Sequence, residues 1–260
     1  MKEPAIATGH AEPTGPQDSA QRAAGPVQPA SGHLFLWGLV GVLALVIFNA
    51  GWLIAETWQG PTYSPIADTI SDMQAQTAPH VWFPIACFAL GALGSFGFAM
   101  FGLRPALAGA GKVAANAPWL LAFCLLALGN SFPLIPCRLA DAGCTASVQL
   151  ASPGGLTDAI VAGLAFFGLA FIPYPLWRRL ALLPGWRRLK PVMVAARVIC
   201  PVAWILLAVS SNLPGMPAVG LIERVLAVSC SLWVGALAVT LIIQSRRGGR
   251  AERTATSAPL

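Results

Sequence analysis

Charge is what this sequence has least of. Only 10% of its 260 residues are Asp, Glu, Lys or Arg, while 56% are hydrophobic. Soluble domains are about 25% charged. A chain this poor in charge does not cover a globular surface with polar groups, so its solvent is lipid. Histidine is scarce as well: His10, His33 and His80 complete the set. A zinc hydrolase usually takes about three protein ligands rich in His. The first two precede the first apolar run, which leaves His80 alone beside the polar insert described below. The chain has no D-x-D-x-D-G calcium loop, no Walker motif and no dinucleotide-binding fingerprint with a following acid. No acid lies at mid-depth in any apolar run, which counts against a proton-coupled transporter.

What is present is a series of apolar runs of membrane length. They cover about 34–55, 81–103, 117–135, 156–177, 192–211 and 221–244. A span needs about 20 apolar residues. Gly91, Gly94, Ser95, Gly97 and Ala99 give the second run a surface of small residues for close helix approach. Pro133 and Pro136 lie at the end of the third, Pro173 and Pro175 loosen the last turn of the fourth, and Pro201 predicts a kink in the fifth. Residues 1–32 are rich in Pro, Gly, Ala, Gln and Ser without apolar periodicity, and read as a disordered tail. No A-x-A site follows the first run, which reads as a retained span rather than a leader. Residues 245–260 read as a basic disordered tail. The fold class expected is an all-α integral membrane protein with a six-helix membrane domain over 33–244.

The net charge of +6 is distributed unevenly. Thirteen cations fall in the two tails and in the loops after runs two and four, against only Arg138 and Arg224 at the other ends; Arg197 lies within run five. The positive-inside rule then puts both termini in the cytoplasm of a plasma-membrane protein. Topology accounts for the basic clusters, with anionic lipid as an added partner and no role for nucleic acid. Glu56, Asp68, Asp72, Asp141, Asp158 and Glu223 sort to the opposite, outward ends.

The longest polar insert is YSPIADTISDM, residues 63–73. Read as a helix, it is a short amphipathic segment between spans one and two. Ser64 caps it, Pro65 takes the first position, and Ile66, Ile70 and Met73 share one face. Asp68, Ser71 and Asp72 share the other, and the two carboxylates repel unless a cation intervenes. Asp68, Asp72, Asp141, Asp158, Glu223 and Arg224 form the candidate ligand and ion-pair cluster. A divalent cation suits such oxygens; ion pairs to Arg138 and Arg224 are the plainer reading. Arg224 is expected to neutralise Asp68 or Asp72 and dock the insert. Cys137 and Cys144 share one loop and form a disulfide if that side is oxidising. Cys87, Cys124, Cys200 and Cys230 read as apolar packers. Asn130, Ser131, Ser210, Ser211 and Asn212 are candidates for bonds between helices or for a small cavity.

The order of features resembles a known family. The motifs are Y-S-P-x-x-x-T-I-S-D-M after the first span, FPLIPCRLADAGC after the third, GGLTDAIVAGLAF opening the fourth, and G-L-I-E-R opening the sixth. Together they resemble, over about 34–244, the prokaryotic six-span membrane proteins catalogued as a domain of unknown function (number nine hundred and ninety-eight). The chain is loosely similar to Frag1/DRAM/Sfk1 membrane proteins as well. The resemblance implies a six-helix bundle and no established activity. It also implies a His–Asp pair at the start of span four, where this chain has Thr157–Asp158.

The function expected is a non-catalytic membrane protein whose outward acidic pocket binds a cation, a lipid headgroup or a membrane-protein partner. Two alternatives stand beside it. One is a membrane-embedded lipid hydrolase with Ser71 and His80 as catalytic candidates, beside Asp72 and Asp158. The other is a transporter or permease component.

Overall fold

The computed structural model describes residues 31–129, 132–183, 185–211 and 218–256. The expected disordered tail over 1–30, with His10, and the polar candidates Asn130, Ser131 and Asn212 lie outside the described residues. Among these the secondary structure is helical, with no strand. The helices are α1 (Ser31–Glu56), α2 (Trp82–Gly97), α3 (Arg104–Leu107), α4 (Lys112–Ala127), α5 (Ala146–Ala151), α6 (Pro153–Phe171), α7 (Pro173–Leu180), α8 (Lys190–Ser210) and α9 (Val219–Thr256).

Five helical stretches are long and apolar enough to cross a membrane: Gly32–Glu56, Trp82–Ala110, Pro153–Leu180, Arg187–Ser210 and Val219–Gly249. Leu43, Leu93, Phe123, Leu164, Val202 and Leu232 are among many large apolar side chains left exposed on the helices. A surface of this kind is stable against lipid and not against water. The chain is a multi-pass integral membrane protein.

The helices pack through small residues and one buried core. α1 lies against both α2 and α9. A Cβ on Gly91 would stand 2.8 Å from Phe48 Cβ, and one on Gly94 would stand 2.8 Å from Ala44 Cβ. Only glycine lets the α1 and α2 backbones come this close. Trp233, Phe88, Phe98, Met193 and Leu169 are fully or almost fully buried between the helices. A π-helical stretch at Phe98–Leu103 joins α2 to α3.

Three expectations about elements are corrected. The third apolar run forms a helix over Lys112–Ala127, 16 residues long, not over 117–135. At about 1.5 Å per residue it covers about 24 Å. It stops where Gly129 presses on α2: a Cβ there would stand 2.2 Å from Ala92 Cβ. Past it, Pro133 and Pro136 are non-helical. The last helix runs to Thr256, well past Gln244. Its added turns carry four arginines, which are good helix formers, and contain no proline, and the helix runs on through Gly248 and Gly249.

The third correction concerns the insert. Residues 63–73 are not an amphipathic helix. Ser64–Asp68 makes one turn, in which the Ser64 carbonyl accepts the Ala67 and Asp68 N–H groups at 3.0 and 2.7 Å. After a break, Ser71–Gln74 forms a 3-10 turn. The aspartates break the helix, because each bonds to a nearby backbone donor instead. Asp68 Oδ2 accepts the Ser64 N–H at 2.6 Å, and Asp72 Oδ2 accepts the Thr69 N–H at 3.0 Å. The expected faces are scrambled as a result. Ile66 is 54% exposed, Ile70 and Met73 are buried, and so are both aspartates.

Candidate functional site

The candidate site lies at the end of the bundle where α1 finishes, α6 and α9 begin, and the 57–81 and 128–152 connections cross. Arg224, in the second turn of α9, ties these parts together. Its Nη1 donates to the carbonyls of Pro65 (2.8 Å), Asp68 (2.9 Å) and Gly220 (3.0 Å). Its Nε and Nη2 each donate to Glu56 Oε2 at 3.3 Å, and Nη2 also reaches the Tyr63 hydroxyl at 2.5 Å. The guanidinium stands 5.7 Å from the Trp52 ring centroid. A planar five-donor fork suits such a hub, and a point-charge lysine does not. Arg224 therefore docks the insert through its carbonyls, not through the Asp68 or Asp72 carboxylate as the sequence suggested. Burial pushes the Tyr63 hydroxyl well above its ordinary pKa, against the pull of Arg224.

Asp72 is 1% exposed and fully engaged. Its Oδ2 also accepts the Thr69 hydroxyl at 2.9 Å, and its Oδ1 accepts the Leu139 N–H at 3.1 Å and Gln149 Nε2 at 2.9 Å. Burial raises its pKa, with the bonds from Gln149, Thr69 and Leu139 opposing the shift. This carboxylate joins the first connection to the second. Asp141 makes the other tie. It pairs with Arg138 at 2.6 Å and accepts the Thr77 hydroxyl at 2.5 Å, while Arg138 Nη1 donates to the Gln59 carbonyl at 2.7 Å. Burial pushes the Asp141 carboxyl up, but the bonds from Arg138 and Thr77 outweigh it and hold it below its ordinary range. A disulfide joins Cys137 to Cys144 around this corner, with Cα atoms 6.0 Å apart. Gly143, at φ 82°, makes the turn inside that loop.

Glu223 and Asp158 do different work. Glu223 is 7% exposed and accepts the Ile70 N–H at 2.6 Å and the Ser71 hydroxyl at 3.3 Å. Asp158, in the second turn of α6, accepts no hydrogen bond among the described residues. It lies within electrostatic reach of both Asp72 and Glu223. Asp158 and Glu223 line a cavity of about 110 Å³ together with Ser71 and Gln74. Gln74 is 7% exposed, and its Oε1 has no hydrogen-bond partner among the described residues. The far walls are apolar: Phe48, Phe88, Leu128 and Phe166. Phe166 lies eight residues beyond Asp158, about 12 Å along α6. The cavity is thus polar at the acidic end and apolar toward the middle of the bundle.

The structure brings Asp158 and Glu223 together on this cavity; Asp72 lies within electrostatic reach of both but does not line it, and Arg224 follows Glu223 along α9. Asp68 stays in its own turn, and Asp141 stays with Arg138. Ser71 and His80 do not meet. Ser71 donates toward Glu223 and Thr69, whereas His80 is exposed and sits edge-on to Trp58, with ring centroids 5.4 Å apart. No group of three or more His, Cys, Asp or Glu among the described residues is placed to hold a metal ion. Gln74, Tyr63 and Gln149 take part without having been singled out from sequence. The one signal for Gln74 was its position directly after the polar insert.

No curated protein and no solved structure matches the chain. Its residues 42–240, which hold all of these side chains, match the model of the family described as "Protein of unknown function (DUF998)", and the chain belongs to that family.

Proposed function

We propose that this is a non-catalytic, six-span protein of the plasma membrane that binds a cationic group at its outward-facing acidic end. Helix α4 is the sixth span, and the two termini are cytoplasmic, as the basic residues after α3 and α7 require under the positive-inside rule. One observation carries the binding reading. The Asp158 and Glu223 carboxylates line one cavity with Gln74, whose buried Oε1 has no partner among the described residues. An unmet buried acceptor costs about 1–3 kcal/mol, so a donor in that place is favoured. Both cations of this end are already engaged by protein oxygens: Arg138 by Asp141 and Gln59, Arg224 by Glu56 and backbone carbonyls. The complementary ligand is therefore positive and rich in N–H. An organic ammonium meets these acceptors better than a metal ion, which needs a tighter ligand set.

The test uses full-length protein in nanodiscs. Ethylammonium chloride should raise the melting temperature in a saturable way beyond matched sodium chloride, and Asp158→Asn should remove the effect. No difference between the two salts would overturn the reading. A shift that Asp158→Asn leaves intact would move the site elsewhere and overturn this assignment.

A further inference from the structure

A second void of about 20 Å³ lies beyond the apolar wall of the acidic cavity, between Leu45, Ser95, Leu169 and Val234. Phe48, Leu128, Phe166 and Ala227 line both voids, which therefore lie side by side with this wall between them. The first has carboxylates at the end of the bundle, and the second lies among aliphatic side chains inside it. Glu223, Ala227 and Val234 mark the line of the two voids along α9: four residues, about 6 Å, then seven more, about 10 Å.

We infer that the ligand of this site is a single-chain alkylammonium, with its charged nitrogen between Asp158, Glu223 and Gln74 and its chain laid along the Phe48–Ala227 wall toward the second void. The inference rests on the cation-binding reading above and adds the class of molecule. Three features select it. A primary ammonium has three donors, which match the two carboxylates and the amide oxygen. The apolar wall rewards a hydrocarbon chain and leaves a purely polar cation without contacts. The volume limits size: one water needs about 10–15 Å³ of such space, so the larger void holds about eight heavy atoms. A two-chain phospholipid does not fit, and its phosphate would face carboxylates with Arg138 and Arg224 already engaged.

Each buried methylene should tighten binding roughly fourfold. The experiment is calorimetric titration of full-length protein in nanodiscs with ethyl-, butyl- and hexylammonium, with empty nanodiscs subtracted. The expected result is a rise in affinity of about fifteenfold for each pair of methylenes. Asp158→Asn should weaken all three ligands. Ala227→Val, on the wall that both voids share, should flatten the gain with chain length. Phosphatidylethanolamine in the nanodisc should not compete. Asp158-dependent binding of ethylammonium without gain in the longer amines would overturn the chain-binding inference and leave the cation-binding reading standing. Failure of all three amines to bind would overturn both. A gain with length that survives Asp158→Asn would be partition into the bilayer and would also overturn the inference. Displacement of hexylammonium by phosphatidylethanolamine would replace the single-chain ligand with a membrane lipid. If Ala227→Val does not fold, the wild-type series and Asp158→Asn decide the matter.

Discussion

Arg224 shows how much one side chain does in a chain with so few charges. It gathers three carbonyls, one carboxylate and one hydroxyl, and it is 8% exposed. Removing one partner of a buried, hydrogen-bonded ion pair costs about 3–5 kcal/mol. Glu56 is partly exposed, with a quarter of its side chain accessible, so water offsets some of the loss. Arg224→Ala is expected to lower stability by about 3 kcal/mol, read as a drop in melting temperature in detergent. Arg224→Lys should recover little of it, because an ammonium cannot reach both Glu56 and the carbonyls. Full recovery by lysine would show that charge alone matters there. Asp141 belongs to the same scale. Its pKa is lowered in the folded state, so its contribution is complete above the ordinary carboxylate value of 3.8 and is lost as pH falls through the lower folded value. Protection from hydrogen exchange in residues 137–144, taken against the intrinsic rate at each pH, should therefore fall over that acidic window in the wild type. Asp141→Asn should already exchange fast at neutral pH and lose the dependence. Asp72 has the opposite sign: its raised pKa makes its own contribution fall as pH climbs through the raised value.

At the scale of elements, the main event is a segment giving up helix for tertiary bonds. Ser64–Asp68 has the composition of a first helical turn and forms one. Asp68 and Asp72 then satisfy local N–H groups, and Ile70 offers its N–H to Glu223 on α9. The turn rests against the start of α9, where a Cβ on Gly220 would stand 2.1 Å from the Asp68 carbonyl oxygen. Overpacking of this kind costs about 1–3 kcal/mol. Gly220→Ala is expected to push the 65–68 turn off α9 and weaken the Arg224 bonds to Pro65 and Asp68. Limited proteolysis should then cut between 60 and 70 faster than in the wild type. Unchanged cleavage would mean that the contact is not tight. Helices α5 and α6 start in a more local way, by capping. Thr145 Oγ1 accepts the Val148 N–H at 3.3 Å, and Ser152 Oγ accepts the Gly155 N–H at 3.0 Å ahead of Pro153.

At the scale of the whole molecule, the helices separate a basic end from an acidic one. The basic end carries Arg178, Arg187 and Arg188, with Arg197 4.4 Å over the Trp177 ring. The acidic end carries the cavity. If the basic end is cytoplasmic, the two ends label from opposite sides. Thr62→Cys, exposed beside the insert, should react with a membrane-impermeant maleimide added outside intact cells. Leu182→Cys, 69% exposed at the other end, should react only after permeabilisation. The reverse pattern would invert the topology. Equal labelling of both positions from outside would remove α4 from the count of spans.

Much of this was legible in the chain itself. Low charge and long apolar runs specify membrane helices, because lipid leaves no other way to satisfy a backbone. The biased placement of Lys and Arg separates the ends. Gly91 and Gly94 mark a face of α2 for close helix approach, and the structure fills it with α1. What the sequence could not determine is where its few acids point. Asp72 and Asp158 are the same residue type, and both sort to the outward ends. One accepts bonds from Leu139 and Gln149, 67 and 77 residues away, while the other lines a cavity and accepts no hydrogen bond among the described residues. Burial of a carboxylate depends on which donors the rest of the fold brings to it. Only the tertiary structure supplies those donors, and so only it separates the acid that ties two connections together from the acid that lines a cavity.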